Sequence, residues 1–254
     1  MKTGNQGESR GAGRRGGLSW RLALLAALGG GQAAAASLQL APTMLSLAPE
    51  QNADGLWLSN SGSAPVQVQV RAYRWTQHDG NEELQPTQEL LISPPMRSLP
   101  AGERQLIRVI RADPAAPAEE VAYRVIVDEL PRPQAERAGM QFVLRYSVPV
   151  FVLPRQPQPP QPDLRARLRR DADGTASLEV GNRGSAHAQI ADLRHIADGS
   201  PRFALDGLVG YVLPGQTMRW SLGRPLSAFP LGVFTARING EADERTLLTL
   251  SASP

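Results

Sequence analysis

The side chains with the most chemical reach are few and scattered. His78, His187 and His195 have no carboxylates at the offsets a metal would need, so each is read as a surface or core residue and no metal site is expected. The 254 residues contain no cysteine, which excludes disulfides, thiol chemistry and Cys-ligated metals. Asp113, Asp128 and Glu129 are the carboxylates that acid–base work would recruit. Asp128-Glu-Leu-Pro131 falls where a strand is expected to enter a loop, and a solvated turn accounts for it without catalysis. No Gly-x-Ser-x-Gly, phosphate loop or dinucleotide fingerprint is present. The pattern points away from an enzyme, and no cofactor is expected.

What remains is recognition chemistry, carried by arginines on strands and by one apolar strand. That strand runs from Met140 to Pro154. Read at period two, Met140, Phe142, Leu144, Tyr146 and Val148 share a face, while Gln141, Arg145 and Ser147 lie on the other, where only Val143 breaks the polar set. About ten extended residues span roughly 33 Å, longer than an ordinary strand. Pro149 lacks a ladder donor, so the second half of the strand is expected at a sheet edge or a bulge. A long apolar edge must be covered or used, and the use open to it is to lend a strand to another protein.

The elements that must hold this strand read as β throughout. With 24 Gly, 22 Pro and 41% apolar residues, the chain fits two all-β domains. Residues 1–36 read as a signal peptide: Lys2, Arg10, Arg14, Arg15 and Arg21 precede an apolar run from Leu22 to Leu28, then small residues to Ala36. The run is too short to span a bilayer, which needs about 20 residues, so no membrane insertion is expected. The whole chain has 27 Lys+Arg and 24 Asp+Glu. Setting aside the five basic residues and Glu8 of 1–36 leaves 22 against 23, so the basic pI is no sign of a nucleic-acid partner.

Residues 37–153 carry seven or eight short apolar runs at turn spacing, the most regular being Val66-Gln-Val-Gln-Val-Arg-Ala-Tyr-Arg-Trp75. They suggest an immunoglobulin-like sandwich, with a barrel as the other solution. Residues 154–163 form a proline-rich linker in the polyproline II style. Residues 164–254 read as a second, smaller sandwich in which Asn239-Gly240 marks a hairpin.

Five segments carry a resemblance: Ser37-Leu-Gln-Leu-Ala-Pro-Thr43, Trp57-Leu-Ser-Asn60, Ser93-Pro-Pro-Met-Arg-Ser-Leu-Pro-Ala-Gly102, Tyr123 with Asp128-Glu-Leu-Pro131, and Leu144-Arg-Tyr-Ser-Val-Pro-Val-Phe151. In this order and spacing the sequence resembles the periplasmic PapD-like chaperones of chaperone–usher pilus assembly, nearest the archaic, Csu-like branch. The resemblance implies an all-β protein of two immunoglobulin-like sandwiches in an L-shaped arrangement. It also implies a last strand of domain one that completes a pilin-like subunit until an outer-membrane usher exchanges it. Carried onto this chain, the donor side chains are Met140, Phe142, Leu144, Tyr146 and, at the end of the row, Val148. Each one buried contributes on the order of 1.5 to 3 kcal/mol before ordering costs.

One departure concerns the subunit's C-terminal carboxylate. The better-known branch holds it with an Arg in the first strand and a Lys in the last. The matching positions here are Met44 or its neighbour Thr43, and Pro149, none of them charged. If this chain has an anchor it has moved, and arginine is the residue to look for because its fork matches a carboxylate. Arg71, Arg108 and Arg145 are the candidates embedded in strands of domain one, the alternative being that they keep strand faces soluble. The function expected is a periplasmic chaperone whose partners are pilin-like subunits and an outer-membrane usher, with self-association of the free edge left open. A secreted two-domain adhesion or scaffold protein is the alternative; it gives no reason for a long alternating edge strand.

Overall fold

The structure is a computed structural model that describes residues 38–131 and 143–251. In chain order the strands are β1 (Leu38–Ala41), β2 (Leu45–Leu47), β3 (Ala53–Asn60), β4 (Val66–His78), β5 (Asn81–Pro86), β6 (Leu90–Ser93), β7 (Met96–Leu99), β8 (Arg104–Arg111), β9 (Val121–Leu130) and β10 (Arg145–Val152). After residues 153–163, which carry no strand, come β11 (Leu164–Arg170), β12 (Thr175–Asn182), β13 (Ala188–Ala197), β14 (Ser200–Val212), β15 (Thr217–Pro225), β16 (Gly232–Ile238) and β17 (Glu244–Leu250). There is no α-helix among the described residues.

Two sandwiches result. In the first, a sheet of order β1-β3-β8-β6 faces one of order β2-β10-β9-β4-β5, with β7 also paired to β4. Leu56, Leu58, Val68, Val70, Ile107, Val109, Val125, Val127 and Val150 fill the space between them. In the second, β11-β12-β15 faces β14-β13-β16-β17 over Leu178, Val180, Ile190, Leu193 and Phe234.

A third small core joins the two, and a parity change in β4 makes it. Val66, Val68 and Val70 are buried inward, as their alternation predicts, but further along the buried residues are Trp75 and Gln77, on the opposite face. There the outer face of the sheet is covered by the second sandwich. Trp75, Ala122 and Phe151 pack against Tyr211 and Leu213. Gln77 mimics a strand: its Nε2 donates to Tyr211 O and its Oε1 accepts from Leu213 N, both at 2.9 Å. His187 stacks on Phe151 with ring centroids 3.4 Å apart, and its backbone N donates to Oε1 of the buried Glu120 at 2.9 Å.

Both sandwiches turn the corner after a strand with the same device. Asn60-Ser-Gly-Ser-Ala64 and Asn182-Arg-Gly-Ser-Ala186 each follow the second strand of their sheet pair, and both asparagines are buried. Each Oδ1 accepts from the glycine two residues on, at 3.0 and 2.9 Å, and each Nδ2 donates to the alanine carbonyl four residues on, at 2.9 and 2.7 Å.

Three readings of the sequence need correction. Asp128 does not lie in a solvated turn but inside β9, where the sheet buries it. The second half of β10 is not an edge: Val150, Phe151 and Val152 pair in parallel with Leu45, Ser46 and Leu47. Val148 is not an outward-donating residue, since it is 2% exposed and packs in the first core.

Candidate functional site

β10 pairs with β9 along its whole length, from Arg145 opposite Asp128 to Val152 opposite Val121. On its other side β2 begins only at Val150, so among the described residues no strand lies along Arg145 to Pro149. Leu153 N donates to Leu47 O at 2.9 Å, so by strand alternation the backbone groups of Arg145, Ser147 and Pro149 point to that same side. The one missing N–H of β10 therefore faces the open edge and leaves the β9 ladder whole, which is how a proline is accommodated here. The half-open segment offers the N–H groups of Arg145 and Ser147 to an incoming strand.

The apolar face of this segment points into the first sandwich. Leu144 and Tyr146 are half-buried against the core, and Tyr146 Oη donates to Leu38 O at 2.5 Å. Met140 and Phe142 lie outside the described residues.

The three candidate arginines do not converge. Arg71 and Arg145 meet on one carboxylate: Arg71 Nη2 lies 2.6 Å from Asp128 Oδ2 and Arg145 Nε 2.5 Å from Asp128 Oδ1. Burial works to raise the Asp128 pKa, but the hydrogen bonds from Arg145 and Arg71 outweigh it and hold the carboxyl below its ordinary value. Both guanidinium groups thus already have a counter-charge. Arg108 is exposed on the other sheet, opposite Gly55 of β3, and forms no ion pair among the described residues.

The cation that the fold brings to Pro149 is Arg124, its direct cross-strand neighbour on β9. Its guanidinium lies 3.7 Å from the Trp75 ring centroid and 5.2 Å from that of Tyr211, and its side chain is 11% exposed. Its one carboxylate partner, Glu82, stays 3.5 Å away. Desolvation lowers the Arg124 pKa, the mark of a cation short of counter-charge. The sequence hid this residue because Val121-Ala-Tyr-Arg-Val-Ile-Val127 reads as a plain interior strand. The signal that finds it is the register that puts it beside the proline.

The histidines stay apart: His78 is exposed in a hairpin, His187 sits at the joint and His195 is enclosed in the second core. No group of three His, Asp or Glu side chains suited to a metal occurs among the described residues. No helix among them is long and apolar enough to cross a membrane.

Two immunoglobulin-like sandwiches, the first closed by a strand paired on both sides only from Val150 to Val152, define an all-β, two-sandwich class of protein. Residues 37–158 match the family described as pili and flagellar-assembly chaperone, PapD N-terminal domain, so the chain is similar to that family through its first sandwich. Among solved structures it is similar to the CsuC–CsuE chaperone–tip adhesion subunit pre-assembly complex from the archaic chaperone–usher Csu pili of Acinetobacter baumannii. That match has 22% identity and a TM-score of 0.66 over 83% of this chain and 97% of the other. The YadV chaperone matches with 18% identity and a TM-score of 0.60 over 83% and 98%. The Salmonella enterica SafA pilin in complex with the SafB chaperone matches with 17% identity and a TM-score of 0.58 over 83% and 95%. These likenesses establish the shared fold. None of the curated proteins matches the chain.

Proposed function

We propose that this protein is a periplasmic chaperone of pilin-like subunits, which lends the open half of β10 and the residues before it to complete a subunit's sheet and passes the subunit to an outer-membrane usher. The observation that carries this reading is the half-open edge: backbone donors at Arg145 and Ser147 next to a stretch already covered by β2. Main-chain pairing of this kind supplies affinity, and alternate side chains supply specificity. Met140, Phe142, Leu144 and Tyr146 are the side chains we assign to the subunit, while Val148 stays with its own core. Arg124, not Arg71, Arg108 or Arg145, is the residue we assign to the subunit's terminal carboxylate. The two similar complexes that pair a chaperone with a tip adhesion subunit and with a pilin support the client class. Residues 1–36 are the segment we assign to export.

The test is co-expression of the full chain with a pilin-like subunit, purification from the periplasm and mass determination of the complex. A 1:1 complex is expected with the wild type. Phe142→Arg with Met140→Arg should abolish it while leaving the thermal unfolding of the free protein unchanged. Equal recovery of the subunit by wild type and variant would defeat the reading.

A further inference from the structure

The second sandwich carries a charged face that strand lending does not use. β11 reads Leu-Arg-Ala-Arg-Leu-Arg-Arg, with Leu164, Ala166 and Leu168 on the core and Arg165, Arg167 and Arg169 on the other side. Pairing registers Arg167 with Glu179 of β12, and Glu179 with Arg219 of β15, so the carboxylate lies between two guanidinium groups across three strands. Arg219 Nη2 lies 2.8 Å from Glu179 Oε2, Arg167 binds Oε1, and Arg169 Nε is 3.9 Å away. Burial would raise the Glu179 pKa, but hydrogen bonds from Arg219 and Arg167 hold it down.

One buried carboxylate cannot saturate three guanidinium groups of five donors each. Arg165 reaches only the exposed Asp163 at 3.4 Å, and Arg183 has no ion pair among the described residues. Five guanidinium groups thus stand against four carboxylates: Glu179, Asp163, Asp171 and, at the hairpin end, Asp79. Gly181, which Arg165 and Thr217 flank in register, leaves a gap in the middle of the face. Two adjoining depressions result, of about 340 and 670 Å³. They share Arg167, Glu179, Gly215, Gln216 and Thr217, and the larger runs on to the β4–β5 hairpin at His78–Asn81.

We propose that this groove docks an extended acidic peptide segment of a partner protein. A carboxylate-bearing chain is the occupant that fits: guanidinium forks match carboxylates, and the recessed glycine floor admits a narrow chain but not a flat surface. A lipid surface would also call for apolar side chains to insert, and none of the large exposed apolar residues lies on β11, β12 or β15.

The experiment measures fluorescence anisotropy of the full chain with a labelled peptide of alternating Asp and Ser. Controls are the same peptide with Asn for Asp, and vesicles containing phosphatidylglycerol. The acidic peptide should bind, the Asn peptide should not, and the double variant Arg165→Glu with Arg183→Glu should weaken binding about tenfold or more. Both arginines are exposed and neither holds Glu179, so the fold should persist, as thermal unfolding would verify. Gly181→Gln fills the floor without changing charge, and it too should weaken binding. No peptide binding, binding that the arginine variant leaves intact, binding that Gly181→Gln leaves intact, or attachment to the vesicles alone would each overturn the proposal.

Discussion

At the scale of single residues, the outer face of the β10 sheet is governed by where charge is already spent. Asp128 is full, with a guanidinium on each oxygen. A carboxyl whose folded pKa is depressed adds stability that is complete above its unfolded value, near 3.9, and is lost as pH falls through the folded value. Asp128→Asn should therefore lower stability at neutral pH by about 1 to 2 kcal/mol, the exposed arginines limiting the size. It should also flatten the loss of stability below about pH 4, read by thermal denaturation across that range. Arg124 is the opposite case, a cation enclosed by aromatic rings with only a distant carboxylate. Arg124→Met keeps the apolar stem over Trp75 and removes the charge. It should weaken subunit capture about tenfold or more, the worth of a charge-assisted hydrogen bond, whereas Arg108→Met should leave capture unchanged. Subunit titration in a pull-down distinguishes the two.

At the scale of elements, alternation made β4, β8 and the inward half of β10 readable, because one face of each meets a core. β5 was not readable. Asn-Glu-Glu-Leu-Gln-Pro is exposed along its whole length, and what makes it a strand is pairing with β4 across Asp79 and Gly80, whose φ of 49° and 78° suit a tight hairpin. Arg124 was hidden for a similar reason, since register is a property of pairs of strands and not of either alone. The alternation of Leu144, Tyr146 and Val148 was legible as one face, but how deeply each is buried was not: all three turn toward the first core, Val148 fully and the other two in part. The twin asparagine corners give a test of how independent the sandwiches are. Asn60→Ala and Asn182→Ala each strand buried carbonyls, at a cost of about 1 to 3 kcal/mol. Each should lower the unfolding midpoint of its own sandwich, followed through Trp57 and Trp75 in the first and Trp220 in the second.

At the scale of the whole molecule, the two cores are joined by a small number of specific contacts. Gln77 supplies two backbone-like hydrogen bonds, Trp75, Phe151 and Tyr211 supply apolar area, and the Glu120–His187 pair sits beside them. Gln77→Ala should remove the hydrogen bonds and leave the aromatic contact, loosening the joint by about 1 to 3 kcal/mol. Calorimetry should then show the unfolding transitions of the two sandwiches further apart than in the wild type. Phe151 and Arg124 place this joint immediately beside β10, so a subunit captured as proposed would press on the same few residues as the second sandwich. Pro149 adds a consequence of its own. A guest strand zipping along the open side meets a residue that has no hydrogen to offer, and directly beyond it β2 occupies the ladder. On the proposed reading the zipper would have a built-in end stop, halting guests of different sequence at one place and measuring them off to the same length.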